Sequence, residues 1–226
     1  MDRQEYVKRI IDKEWPMFSS VNGDDKTSCQ NDRPGFIMMR RAQFTAWSES
    51  ALAAYLDDLA EAEANKKNLA REKYIRMMET TDPKAYEAFK SELPEVSDEK
   101  SSLITEIWSI MCEQTKRMRD KYPAVAAGGR PFLISDEIGS YASVENYQIS
   151  ELSTYSERTL RLLLEHIKSS AENGTEIAFE IQLNTMKELG YPDIDTAEKD
   201  MAYRYIQQLG GGACESCGAL GDRCYV

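Results

Sequence analysis

The chain has 226 residues, 42% hydrophobic and 30% charged, which is typical of a globular protein with one sizeable core. No apolar run approaches the roughly 20 residues of a bilayer span, and the charged segment 1–6 is unlike a secretory signal, so we expect a cytoplasmic protein. The net charge of −11 disfavours nucleic-acid or anionic-membrane surfaces. We therefore expect the partner to be a small polar or anionic ligand or another protein, with no nucleic acid and no membrane.

Helical periodicity predicts an all-α fold, because apolar residues recur at three- and four-residue steps and no segment shows convincing strand alternation. The first half of the chain is predicted to contain helices over residues 2–18, 36–47, 48–66, 68–80, 82–94 and 97–122. Ser48 and Ser97 are the expected N-terminal caps of their helices. Asp82 is expected to cap the helix that begins at Pro83.

Two long loops are predicted, over residues 19–35 and 123–143, where Gly, Pro, Asn and Asp interrupt the helical period. Helices resume at residue 144, and Gly174 and Gly190 are the expected C-terminal caps of two of them. We expect a single domain of roughly eight to ten helices over residues 1–209, with a flexible tail rich in Gly and Cys over 210–226. The predicted core includes Trp15, Phe44, Leu56, Met77, Ile107, Trp108 and Leu163.

The tail holds three of the five cysteines of the chain, Cys214, Cys217 and Cys224. Thiolates are soft metal ligands, so one prediction is a zinc or iron–sulfur site, for which Cys29 is a conceivable fourth ligand. Other interpretations remain open: a redox or metal-carrier arm, a modified-peptide core behind a large helical leader, or a terminus whose cysteines have no role.

The chain has a single histidine, His166, which limits the kinds of metal site it can form. Neither a His-x-x-x-His zinc motif nor the paired Glu-x-x-His motifs of a di-iron bundle can form within one chain. His166 lies near the end of its helix, where packing or an interaction with the helix dipole is the favoured role.

Three helical segments carry more polar and aromatic side chains than amphipathicity requires. In the first, residues 38–47, the spacing of Arg40, Gln43 and Trp47 predicts one shared face, which suits a carboxylate or phosphate under an aromatic lid. The pair Arg40 and Arg41 must be neutralised by internal carboxylates or by a bound anion. We expect this face to border a polar pocket that the other two segments also reach.

The second segment, residues 72–81, places Glu72, Arg76 and Glu79 on one face, where ordinary intrahelical salt bridges are the alternative interpretation. The third, residues 151–156, places Tyr155 near Glu151, and the alternative there is a break between helices. A structural polar network that fixes helix packing is as consistent with these segments as a binding pocket is.

Taken in order, the three segments resemble the uncharacterised bacterial family known as domain of unknown function 4125. The resemblance extends to residues 14–18, 28–30, 68–69, 122–123 and 130–131, and covers about residues 5–195. It implies no particular activity, and the tail lies outside it.

Two functions are consistent with these residues. A binding or accessory module would hold its ligand with Gln30, Arg40, Arg41, Gln43, Trp47 and Arg76. An enzyme would orient its substrate with Arg40 and Gln43. Its acid or base would be Glu72 or Glu151, and its proton donor or nucleophile Tyr155 or Cys29. The chain lacks a phosphate loop, a nucleophile elbow and a dinucleotide fingerprint, which favours the binding module.

Overall fold

The computed structural model describes residues 1–21 and 28–210, and within these ranges the fold is all-α, as predicted. Its helices are α1 (Arg3–Ser19), α2 (Arg33–Thr45), α3 (Glu49–Ala64), α4 (Leu69–Thr81), α5 (Pro83–Phe89), α6 (Asp98–Lys121), α7 (Pro123–Ala127), α8 (Val144–Leu152), α9 (Glu157–Glu172), α10 (Ile177–Glu188) and α11 (Ile194–Gly210). None of these helices has the length and apolar character needed to cross a membrane. The described part contains no strand, only an isolated bridge between Ile138 and Tyr141.

Side-chain caps set several helix starts where the sequence predicts them. The Ser48 side chain accepts the Ala51 N–H at 3.3 Å, and the Ser97 side chain accepts the Lys100 N–H at 3.1 Å. At the C-terminal ends, Gly174 and Gly190 adopt positive φ angles of 77° and 91°, which a glycine tolerates without strain. The predicted caps are therefore confirmed.

Both predicted long loops contain helical turns that the periodicity did not reveal. In the first, a 3₁₀ turn spans Ser28–Asn31, and α2 begins at Arg33 because the Asp32 carboxylate accepts the Gly35 N–H at 3.0 Å. A Cβ atom at position 35 would collide with that carboxylate. In the second, Pro123 ends α6 and at the same time begins α7, and a 3₁₀ turn spans Ile134–Asp136.

The main core lies between α1, α2, α3, α6, α9 and α10, where α3 packs against both α1 and α9 and α10 packs against both α2 and α6. Its fully buried side chains include Ile10, Phe44, Leu52, Leu59 and Leu160. A second, smaller cluster joins α6, α7, α10 and α11 around Met118, Tyr122, Val125, Met186, Ile194 and Ala197.

Four of the seven predicted core residues belong to the main core, namely Phe44, Leu56, Ile107 and Leu163, and Trp15 packs at its border. Met77 is buried but belongs to neither core cluster, so the prediction of one shared core is wrong for it. The prediction for Trp108 is wrong, because this residue is only half-buried. Its indole N–H donates to Glu145 at 3.2 Å, and its ring lies 6.2 Å from the Phe132 ring. Trp108 therefore supports the segment after α7.

Candidate functional site

Arg40 is a charged residue in the interior of the protein. It lies on α2 one turn from both Phe36 and Phe44, so the helix face that buries two aromatic rings also buries the guanidinium, which is 6% exposed. The guanidinium carbon lies 4.6 Å from the centroid of the Phe44 ring. Such a group is stable in the interior only when its charge and its N–H groups are satisfied.

Two buried carboxylates neutralise Arg40. Its Nε donates to Glu14 Oε2 at 2.7 Å, and its Nη2 makes a very short contact with Glu14 Oε1. The same Nη2 lies 2.6 Å from Glu151 Oε1, and Nη1 donates to Gln43 Oε1 at 2.8 Å. The neutralisation by internal carboxylates is the first of the two predicted outcomes for this arginine.

Each carboxylate also accepts a hydrogen bond from a buried tyrosine. Tyr55 donates to Glu14 at 2.6 Å, Tyr155 donates to Glu151 at 2.9 Å, and the two rings lie 4.6 Å apart. Burial and the adjacent carboxylate raise the pKa of each tyrosine well above its ordinary value. Both hydroxyls therefore keep their protons and act as fixed donors.

Lys73 of α4 also approaches this cluster. Its ammonium lies 4.0 Å from Glu151 Oε2, donates to the Tyr147 hydroxyl oxygen at 2.8 Å and lies 4.1 Å from the Tyr147 ring centroid. Burial lowers the pKa of Lys73, but the interactions with Tyr147 and Glu151 outweigh it and raise the pKa above its ordinary value. The residue is therefore a buried cation at neutral pH.

Glu151 is held in its ionised form. Burial raises the pKa of this carboxyl, but Arg40 and Lys73 outweigh burial and lower the pKa to about 2. A carboxylate with such a pKa takes up almost no proton at neutral pH, so it is poorly matched to general acid or base catalysis.

A cavity of about 260 Å³ adjoins this cluster, bordered mainly by α1, α2, α4, α8 and α10. Its charged lining residues are Glu14, Arg40, Lys73, Arg130 and Glu151. Arg130 enters from the segment after α7, where its Nη1 donates to the Ala142 carbonyl at 3.0 Å. Its guanidinium carbon lies 5.1 Å from the ring centroids of Tyr141 and Tyr147. Arg130 has no ion pair with any carboxylate of the described residues.

A family model described as a protein of unknown function, DUF4125, matches residues 4–199. The chain belongs to this family. The matched range contains every residue that lines the cavity, and it ends within α11. Searches of the curated proteins and of the solved structures found no match.

Most of the segments that carry the DUF4125 resemblance converge on the cavity, whereas residues 28–30 and 122–123 do not line it. They supply Glu14 from residues 14–18, Arg40 and Gln43 from 38–47, Lys73 from 72–81, Arg130 from 130–131, and Glu151 with Thr154 from 151–156. These segments are far apart in the chain, so the fold brings their polar groups together.

Of the predicted site residues, Arg40, Gln43 and Glu151 line the cavity, and Tyr155 lies directly behind Glu151. Trp47 does not share their face, because α2 ends at Thr45 and the spacing rule no longer applies beyond it. Its ring instead packs edge-on against Phe44 and Tyr155 in the core.

Other predicted residues lie outside the cavity. Arg41 pairs with Glu188 at 2.5 Å near the surface. Glu72 and Arg76 form the intrahelical salt bridge that was the alternative interpretation, at 3.0 Å, and Arg76 also donates to the Pro94 carbonyl.

Gln30 and His166 make structural contacts with the backbone of other elements. The Gln30 amide donates to the Phe18 carbonyl at 3.2 Å, next to the end of α1. His166 Nε2 lies 2.8 Å from the Ala46 carbonyl, in agreement with the packing role expected for it.

The cysteine predictions are not tested. The side chain of Cys29 and the whole of Cys214, Cys217 and Cys224 lie outside the described part of the chain. A zinc or iron–sulfur site in the tail therefore stays a prediction, as do the other interpretations of the tail and the ligand-binding roles of the residues above.

Sequence reasoning missed Glu14, Tyr55, Lys73, Tyr147 and Arg130 as site residues. A signal for Glu14 does exist, because it lies on the buried stripe of α1, where a carboxylate is out of place unless it is paired. Lys73 lies one turn from Met77 on α4, and both are buried, which is a weaker signal of the same kind. Arg130 lies outside any helix and gives no periodic signal.

Proposed function

We propose that this protein is a binding module that holds a small organic anion in the cavity beside Arg40. The observation that carries the proposal is the charge of the cavity lining. Three cations, Arg40, Lys73 and Arg130, face two carboxylates, Glu14 and Glu151. The lining therefore has one positive charge in excess, although the whole chain has a net charge of −11.

The excess charge is located at Lys73 and Arg130. The donors of Arg40 are directed at Glu14, Glu151 and Gln43, so this arginine has little capacity left for a ligand. Lys73 is 4.0 Å from Glu151, which is the limit of an ion pair. Arg130 donates to a neutral carbonyl oxygen. An anion at this wall would give both cations a close partner of opposite charge.

Tyr147 fixes the relative position of these two cations. The Lys73 ammonium and the Arg130 guanidinium carbon lie 4.1 Å and 5.1 Å from the centroid of its ring. A planar guanidinium binds a carboxylate or phosphate through two parallel hydrogen bonds, whereas an ammonium acts as a point charge. The pair suits a compact anionic group, and the volume of about 260 Å³ favours a small ligand over part of a partner protein.

Acid–base catalysis receives less support. Glu151 is ionised, with a pKa of about 2, and the hydroxyl of Tyr155 is already engaged as its donor. Glu72, the other predicted acid or base, pairs with Arg76 outside the cavity. These features are typical of a fixed binding wall.

Isothermal titration calorimetry with inorganic phosphate, succinate and citrate tests the proposal. We expect at least one of these anions to bind, and Arg130→Gln to weaken its affinity about tenfold or more, since a hydrogen bond to a charged group contributes about 1.5–3 kcal/mol. Arg130→Lys keeps the charge without the planar fork and should have an intermediate affinity.

Arg158→Gln is the matched control, because this arginine pairs with Asp57 on the surface and is 65% exposed. A ligand at 100 times its Kd should also stabilise the fold by about 2.7 kcal/mol, which is measurable as a higher melting temperature. The proposal is wrong if none of the anions binds, or if Arg130→Gln and Arg158→Gln bind them equally.

A further inference from the structure

A second concave surface, which we call the methionine cleft, adjoins the cavity. It has a volume of about 530 Å³ and lies between α6, α7, α10 and α11. Met39, Arg130, Gln148 and Ile181 line both the cleft and the cavity. The two spaces are therefore neighbours with a shared wall, and Arg130 stands at their junction.

The cleft is lined largely by flexible apolar side chains. Five of the ten methionines of the chain border it, namely Met39, Met111, Met118, Met186 and Met201. Methionine is unbranched and polarisable, so a surface rich in it adapts to an apolar ligand without one fixed shape. Val125 and Leu189 add to the same surface.

The charged residues of the cleft are all cationic. Arg119, Arg130 and Arg204 line it, and its lining in the described part of the chain includes no Asp or Glu. Arg204 pairs with Asp200 at 2.8 Å. Arg119 lies over the Phe132 ring, 5.3 Å from its centroid, and forms no ion pair with the carboxylates that the structure describes. The cleft therefore combines an apolar surface with two uncompensated positive charges, on Arg119 and Arg130.

We infer that the ligand is an amphiphilic organic anion, with its carboxylate or phosphate at Arg130 and Lys73 and its unbranched apolar chain in the methionine cleft. This inference rests on the proposed anion site in the cavity and specifies the class of ligand. The charge of the lining selects an anion over a cation or a neutral alcohol. The adaptable methionines suit an alkyl chain, which has no polar atoms to satisfy.

The outer wall of the cleft comes from α11, through Met201, Arg204, Tyr205 and Gln208. These residues lie beyond position 199, where the match to the family model ends. The apolar part of the proposed site therefore extends past the matched range, whereas the cavity lies wholly within it. The wall at α11 is the part of the site that would limit the length of the ligand's alkyl chain.

Calorimetry on the full chain with two homologous series, n-alkyl carboxylates and n-alkyl phosphates from two to twelve carbons, tests the inference and distinguishes the two headgroups. We expect the affinity to rise up to about fourfold for each buried methylene, until the alkyl chain of the ligand fills the cleft. Decanol and decyltrimethylammonium, which lack the negative charge, should bind at least tenfold more weakly than decanoate or decyl phosphate.

Two variants distinguish the contribution of the ligand's headgroup to the affinity from that of its alkyl chain. Met201→Gln changes the cleft only, at a half-buried position, so we expect it to reduce the gain per methylene and to leave the two-carbon ligands unaffected. Met38→Gln is its control, because Met38 is equally half-buried on α2 and borders neither space. Arg130→Gln should weaken binding of every anion in both series.

The outcomes distinguish this inference from the proposed function. If short anions bind through Arg130 and a longer chain adds no affinity, the inference is wrong and the anion site stands. If decanol binds as tightly as decanoate and Arg130→Gln has no effect, the cleft is a purely apolar site and the inference is again wrong. If no anion of any length binds, both proposals are overturned.

Discussion

Arg40 and Glu14 form a bidentate ion pair in the interior, with Arg40 Nε 2.7 Å from Glu14 Oε2 and both side chains less than a tenth exposed. The pair joins α2 to α1, and Glu151 brings α8 to the same guanidinium. A buried pair of this kind adds little net stability compared with apolar packing, whereas loss of one member leaves a buried charge without its partner. The cluster therefore holds three helices in a fixed arrangement around the cavity.

Replacing Arg40 by methionine should destabilise the fold by about 3–5 kcal/mol, because Glu14 and Glu151 would both remain buried without their main cation. The free energy of unfolding in urea measures this cost. The double variant Arg40→Met with Glu14→Gln should be more stable than the sum of the single effects implies, because the Glu14 charge, which Arg40→Met leaves without its main cation, is removed. Additive effects would contradict the coupling.

Glu151 should give the protein a pH-dependent stability. Its pKa is lowered from 4.5 to about 2 in the folded state, so its contribution is complete above about pH 5 and is lost as the pH falls towards 2. The difference between the two pKa values corresponds to about 3 kcal/mol. Unfolding free energies of the parent protein and Glu151→Gln should therefore converge as the pH falls from 5 to 2. Parallel curves would show that Glu151 is not held ionised by the fold.

The sequence predicted local features better than contacts between distant segments. The periodicity and the caps at Ser48 and Ser97 depend on neighbouring residues, and both are confirmed. The spacing of Arg40 and Gln43 correctly placed them together, because both lie within α2. The same rule failed for Trp47, which lies beyond the end of that helix.

The contacts between Lys73 and Tyr147 and between Arg130 and Tyr147 depend on how α4, α8 and the segment after α7 pack together. No periodicity within one segment encodes this packing. A network that fixes helix packing, the alternative interpretation of the three polar segments, describes Arg40, Glu14 and Glu151 well. The proposed binding of an anion in the cavity then depends on Lys73 and Arg130, which this network does not neutralise.

Asp58 on α3 should be far more important for stability than the adjacent Asp57. Asp58 accepts the Ser156 N–H at 2.9 Å and the hydroxyl of the fully buried Thr159 at 2.7 Å, at the start of α9. Asp58→Ala leaves both donors without this acceptor and should cost about 1–3 kcal/mol in urea unfolding. Asp57→Ala, which breaks an exposed pair with Arg158, should cost at most about 0.5 kcal/mol. Equal costs would show that the contact with α9 contributes nothing.

Phe44 and Trp108 should differ in their contribution to stability, although the sequence predicts both as core residues. Phe44 is 0% exposed and contacts Trp47 and Tyr55, so Phe44→Ala should cost about 3–5 kcal/mol. Trp108 is half-buried, and Trp108→Phe should cost less than about 1.5 kcal/mol, because the aromatic packing on Phe132 is largely kept. Thermal or urea unfolding checks both. A larger loss for Trp108→Phe would show that its hydrogen bond to Glu145 is essential.

Glu198 should control the attachment of α11, and with it the outer wall of the methionine cleft. Its carboxylate accepts the N–H groups of Ala124 and Val125 at 2.9 and 2.8 Å, in the first turn of α7, where no other side chain caps the helix. Glu198→Ala removes both acceptors and should cost about 1–3 kcal/mol. Hydrogen exchange should then show faster exchange of these two amides and of the N–H groups of α11, because fewer contacts hold this helix to the rest of the fold.

Gln207→Ala on the exposed face of α11 is the control for Glu198→Ala and should leave exchange in α7 unchanged. Glu198→Gln retains one oxygen acceptor and should have an intermediate effect. If the methionine cleft binds an alkyl chain, Glu198→Ala should also weaken decanoate binding while leaving acetate binding unchanged, since the cavity does not depend on α11. Unchanged exchange in both α7 and α11 would show that the second core cluster alone holds α11 in place.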